Sequence, residues 1–332
     1  MATATLPPRR LRPAVRGAHP LRYVVARVGQ AVVTAFLAYV LVFVIVTVLP
    51  GNPVEASLRS PELGYTDAEI DELLGYYHLD RPVWVQLWYA LRRLVLHNDW
   101  GISLAAGRPV VDVIADGVPA TLQLASVAVV LAALIALVIA LGVFHLPADQ
   151  GGDLLRSFPS LFLSLPNFLI GLVIIDVFAF GLGWFRITDD HGWAALVFPA
   201  ICLAIPVSAP IAQVLVTALD GARAEQYTTV AVAKGIGRRH LLVRHLLPNA
   251  ALPTLTITAI VVGDLLGGSM ITEAVFGRPG LGSVIAAAAT VQDVPVLQAA
   301  VTLAAVIFLA INLVVDLIYP YLDPRLRTQA AR

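Results

Sequence analysis

EQYTTVAVAKGIGRRHLLVRHLLPNAALP, Glu225 to Pro253, is the stretch whose reading decides the rest of the chain. It is a polar, basic interval between two long apolar runs. Its cations with those just before it are Arg223, Lys234, Arg238, Arg239 and Arg244. The pattern predicts one short helix over Ala222 to Lys234 and a second over Arg238 to Leu247. Gly235 and Gly237 supply the break, because glycine tolerates the left-handed conformation that ends a helix. A helix–turn–helix of this kind, lying on a membrane surface with arginines outward, suits a partner in the cytoplasm.

Composition places the stretch in a membrane protein. The chain is 58% hydrophobic and 13% charged, with mean hydropathy +0.82; soluble domains are about 45–50% apolar and about 25% charged. The single cysteine, Cys202, excludes an intrachain disulfide and a cysteine metal site. Lys234 is the only lysine and stands between Ala and Gly, so no phosphate-binding G-x-x-x-x-G-K-[ST] loop exists. Any ATP that drives this chain is bound elsewhere. Neither H-E-x-x-H nor G-x-S-x-G occurs, so no catalytic or metal residue is assigned.

Six spans follow from hydropathy, at about 28–49, 122–144, 159–180, 193–219, 252–272 and 296–319, within a permease domain covering 28–319. The first is long enough for about 30 Å of hydrocarbon and too long for a signal-peptide core. Residues 1–27 carry Arg9, Arg10, Arg12, Arg16, Arg22 and Arg27 and no acid, which puts the N-terminus in the cytoplasm. Six spans then return the basic tail, 320–332, to the same side, and the loop 220–251 with it. Residues 50–118 are rich in acid and read as an outer domain. Within it Thr66 and Glu69 form a helix-starting capping box, and 82–97 reads as an interfacial helix with Trp84, Trp88 and Tyr89. Pro199, Pro206 and Pro210 are expected to bend the fourth span.

The quoted stretch resembles the coupling loop of ABC-importer permeases, in which Glu-Ala-Ala, three residues, Gly, nine residues and Ile-x-Leu-Pro succeed one another. Thr229, Val230 and Ala231 stand at the first three positions, Gly235 at the glycine, and His245 to Pro248 at the end. Tyr227, Ala231, Ala233, Lys234 and Gly235 match the version seen in the peptide-and-nickel branch. Further matches run in order: Leu49-Pro50-Gly51-Asn52-Pro53, Leu79 to Pro82 with Gln86, Asp99 to Ser103, Pro119 to Leu122, Ser164-Leu165-Pro166, Glu273 to Phe276 with Pro279 to Gly282, and Leu322 to Arg325. Together they resemble the B-type permease of that branch.

The resemblance implies an all-α integral membrane protein with six transmembrane helices, cytoplasmic termini, the type I importer permease fold and a cytoplasmic coupling helix–turn–helix. It implies half of a translocation pathway for di- or oligopeptides in the cell (plasma or inner) membrane. The implied partners are a second, C-type permease, one or two ATPase subunits and an extracytoplasmic substrate-binding protein. ATP and Mg would sit on partner subunits, with no cofactor on this chain and no nucleic acid. The ATPase-coupling residues would be Tyr227, Ala231, Ala233, Lys234, Gly235, Arg238, Arg239, Leu247 and Pro248. Glu225, Arg238 and Arg239 are candidates for pairing across that interface.

Acids in apolar spans are costly unless they face protein or water. Asp176, Asp264 and Glu273 are therefore the substrate-pathway candidates, with Asp316 a weaker one. His240 and His245, five apart, do not share an α-helical face. A nickel or other small-solute permease of the same family is the nearest alternative. A secondary transporter is the rival from another class, but it would show matching broken spans in two inverted halves, and prolines cluster in the fourth span only.

Overall fold

In hydrocarbon every backbone N–H and C=O must be satisfied within the protein, so apolar runs of this length become helices. The computed structural model describes residues 20–48, 58–59, 64–78, 81–187 and 192–322. The motifs at Leu49 to Pro53, Leu79-Asp80 and Asp323 to Arg325 lie outside the described residues.

Among the described residues the chain is helical throughout, with one isolated bridge, Ile102 to Pro109. Helix α1 is Pro20–Val48, α2 Asp67–Tyr77, α3 Val83–His97 and α4 Val110–His145. Helix α5 is Gly152–Ser164, and α6, Asn167–Ile174, continues as a wide π turn over Ile175–Gly181. Helix α7 is Ala194–Ala224 and α8 Gln226–Ala233. Helix α9, Arg238–Leu241, runs through a π turn, Leu242–Leu246, into α10, Leu247–Phe276. Helices α11, Leu281–Thr290, and α12, Val294–Leu322, complete the order. Among the described residues five helices are long and apolar enough to cross a membrane, and the bent pair α5–α6 makes a sixth crossing if counted as one span.

Several expectations change. The helix of the second span begins at Val110, not Leu122, because Asp112, Asp116 and Pro119 lower hydropathy without breaking the backbone. At 36 residues it is ~54 Å long, more than a bilayer core needs, so some of its turns extend beyond. The third span is not one helix from Pro159. Pro159 lies inside α5, and the chain bends by 104° between α5 and α6. Leu165 is extended there, the conformation that Pro166 favours in the residue before it. The three prolines of the fourth span do not interrupt α7. Pro199 leaves the Ala195 carbonyl without its helical donor, and Arg278 donates to that carbonyl instead. The outer loop expected over 273–295 holds the end of α10, all of α11 and the start of α12.

Small residues set the packing. Ala132 and Ala136 of α4 meet Ala204 and Ala212 of α7, with Ile139 and Ile211 filling beside them. Such side chains let helix backbones approach where lipid supplies no hydrophobic drive. Helix α1 packs on α12 and leaves Val25, Val32, Leu37 and Leu41 exposed. Ile70 of α2 and Leu104 join Leu58 and Val294 in a separate small core.

Candidate functional site

The segment after α7 is built by its caps. Helix α7 stops at Ala224, and Glu225 turns the backbone extended (φ −70°, ψ 148°). Thr228 is buried and its hydroxyl donates to the Ala222 carbonyl at 2.9 Å, which closes the end of α7. Helix α8 therefore begins at Gln226, and the single helix expected from Ala222 to Lys234 is two helices broken at Glu225. Its other end is a Schellman cap: Gly235 has φ +79°, its N–H donates to Val232 at 2.9 Å, and Ile236 donates to Ala231 at 3.2 Å. Gly237 does not share this role; it is extended and starts α9.

Helix α9 does not end at Leu247. It passes into α10 through the π turn 242–246, which stops just before Pro248. A regular turn there would press the proline ring on the Arg244 carbonyl, and the wider turn avoids it. The same widening brings the His240 and His245 rings to 6.0 Å, despite a spacing that separates them on an α-helix.

Below α8 lies a small core of Phe144, Leu219, Ala222, Ala231, Leu241, Leu242, Leu246 and Ala250, drawn from α4, α7, α8 and α9–α10. Arg238 donates to the Phe144 carbonyl at the end of α4 and stacks over the Phe144 ring at 5.0 Å. That hydrogen bond is made within the chain and uses one of the guanidinium donors. Tyr227 is exposed, and its hydroxyl accepts from Asn249 at 3.1 Å. Ala233, Lys234, Arg239 and Pro248 are exposed, Leu247 is half-buried, and Ala231 is buried.

The acids of the spans lie apart. Asp176 sits in the wide turn after α6 and is exposed; Asp264 is exposed on α10, on one face with Ile260, Gly267 and Ile271. Glu273 is fully buried. Its carboxylate accepts the Gly282 N–H at 2.7 Å, and one residue back the Thr121 hydroxyl of α4 accepts the Leu281 N–H at 2.8 Å. A Cβ at Gly282 would lie 2.3 Å from Met270 Cα, so only glycine fits this approach. Glu273 thus ties the 277–282 turn to the end of α10, and Thr121 ties it to α4. Arg278 stands beside it, its guanidinium lowered by burial and raised again by the Glu273 charge.

Sequence reasoning missed Asp293. Buried, it starts α12 by accepting Val296 N–H at 3.4 Å, and it accepts the Ser103 hydroxyl at 2.6 Å and the Ala105 N–H at 3.1 Å. One carboxylate therefore fastens residues 103–105 to α12. Its place just before the Val294 apolar run was the available signal, that of a helix cap.

Residues 134–328 match the family model for the binding-protein-dependent transport system inner membrane component. The glutathione transport system permease protein GsiC of Escherichia coli K12 is 32% identical over 309 residues, covering 92% of this chain and 99% of that protein. The protein of the same name from Shigella dysenteriae serotype 1 gives the same figures. A crystal structure of an amino acid ABC transporter with histidines is 20% identical, covering 66% of this chain and 94% of its own, at TM-score 0.46, too loose to carry argument. On the family match and the length of the shared sequence, this chain belongs to the binding-protein-dependent transport system inner membrane components, the multi-pass permeases of ABC importers.

Proposed function

We propose that the chain is the B-type permease of a peptide importer and that α8 with the turn at Gly235 is its handle for an ATPase. Such permeases work with ATPase and substrate-binding partners in general. The specific reading is a C-type permease completing the pathway, one or two ATPase subunits carrying ATP and Mg, and a binding protein delivering di- or oligopeptides from outside. ATP hydrolysis is then the work of partner chains and not of this one. Both termini and the 220–251 segment lie in the cytoplasm, and residues 50–118 lie outside.

The observation that carries the reading is the seat of α8. It is a short helix anchored at both ends and packed on the inner ends of α4 and α7, with Tyr227, Val230, Lys234 and Arg239 outward. A lever must keep its shape under load, and a Schellman cap with a packed underside supplies that. The peptide assignment is supported by the sequence motifs of the peptide-and-nickel branch and by relatives named for glutathione, itself a short peptide.

The test is a reconstituted importer in sealed vesicles. Peptide should accumulate with ATP on the ATPase side and stop when the ATPase chains are left out. Accumulation by this chain without any ATPase, or uptake of nickel that peptides do not compete with, would sink the assignment.

A further inference from the structure

An open groove of ≈ 500 Å³ runs beside α8, between it and the inner end of α4. It is lined by Phe144, Arg223, Thr229, Val232, Ile236 and Arg238, among others. Two guanidinium groups converge on one ring, Arg223 at 5.6 Å and Arg238 at 5.0 Å from the centroid of Phe144. Among the described residues neither is paired with a carboxylate. Asp220, the nearest acid on α7, is engaged by Arg156 at 2.8 Å. Arg238 spends one donor on the Phe144 carbonyl and, having five N–H donors, keeps others free.

We infer that this groove receives an acidic side chain of the ATPase subunit, held by Arg223 and Arg238 against Phe144. The inference rests on the coupling role proposed above and adds the chemistry of the contact. Its long wall is α8 itself, so a surface that grips α8 also covers the groove. Covering it with apolar or basic surface would strand two desolvated cations, which is strongly unfavourable. An incoming carboxylate removes that cost, and the planar guanidinium fork suits it in two-point hydrogen bonding. The charge balance agrees: from Arg223 to Arg244 the segment carries Arg223, Lys234, Arg238, Arg239 and Arg244 against Glu225 alone.

The experiment uses the complete importer, co-expressed and purified from membranes. Arg223→Glu should cut the ATPase recovered with the permease pair by about tenfold or more, the scale of a like-charge contact at an interface, and Arg223→Lys should largely keep it. Arg223 is exposed, and unchanged recovery of the permease pair itself checks that the variant folds. A photoreactive residue placed at Thr229 should crosslink to an ATPase segment holding an Asp or Glu. Reversing that acid to Arg should restore the Arg223→Glu complex. Full ATPase recovery with Arg223→Glu, or crosslinking to phospholipid alone, overturns the groove assignment and leaves the coupling role standing. Failure of any ATPase to purify with the unaltered chain overturns the coupling role itself.

Discussion

Single residues decide how firmly this permease holds its two ends. Gly235 must be left-handed (φ +79°), yet nothing lies within 4 Å of where its Cβ would be. The constraint is therefore conformational and not one of space. Gly235→Val should cost about 1–2 kcal/mol in the turn and lower ATPase stimulation, while Gly235→Asn, tolerant of that conformation, should stay near normal. Equal effects of the two in a stimulated-ATPase assay would contradict this. At the other end, Asp293→Ala leaves the Ser103 hydroxyl and the Ala105 N–H without their acceptor. That should cost about 1–3 kcal/mol, seen as a lower melting temperature and new protease cleavage around residues 98–109. Asp264, exposed on α10, is tested by Asp264→Asn. If it faces the pathway, uptake falls while the complex assembles normally; unchanged uptake kinetics in vesicles would remove it from consideration.

At the scale of elements, hydropathy located the five long apolar helices but not their ends, and it did not show the bend between α5 and α6. The outer turns of α4 were hidden because Asp112 and Asp116 look like loop residues, although an acid in the first turn of a helix is favourable. Residues 238–246 are too basic to read as the start of a span, yet they are helical and continuous with α10. The π turn has no signature in composition; only Pro248 and its clash with a preceding carbonyl hint at it. Local chemistry was more legible. Thr66 and Glu69 cap α2 reciprocally, Thr66 N–H to Glu69 at 2.8 Å and Glu69 N–H to Thr66 at 3.4 Å. Between α2 and α3, the Tyr76 hydroxyl donates to Asp99 at 2.7 Å and Arg93 lies 4.1 Å from its ring centre. Burial, then the bond to Asp99, pushes the phenol from 10.0 up to about 12. A raised phenol favours the folded state below its unfolded value. That stability is present below pH 10 and is lost as pH climbs towards 12. Alkaline titration followed by circular dichroism should show the outer helices loosening in that window, and Tyr76→Phe should remove this component of the pH dependence.

For the whole molecule, the prediction concerns sidedness. Cys202 is 1% exposed, so a cysteine at Lys234, which is exposed, would be the reactive thiol for an aqueous reagent. Lys234→Cys should react in inside-out vesicles, be spared in right-side-out ones, and be shielded when ATPase is bound. Labelling from the outer face would reverse the topology. The tertiary ties that complete the molecule could not be read from sequence, since each joins residues far apart: Arg238 to Phe144, Thr121 to Leu281, Arg278 to Ala195.

Two of those ties grasp the same helix. Near its C-terminal end α4 is fastened through Phe144 to Arg238, and towards its N-terminal end through Thr121 to the 277–282 turn. Between these points run about two dozen residues of unbroken helix, ~35 Å of stiff rod. A helix of that kind hardly stretches, so a displacement imposed at one of these ties has no slack in which to die away. It arrives at the other tie as a push or tilt of nearly the same size.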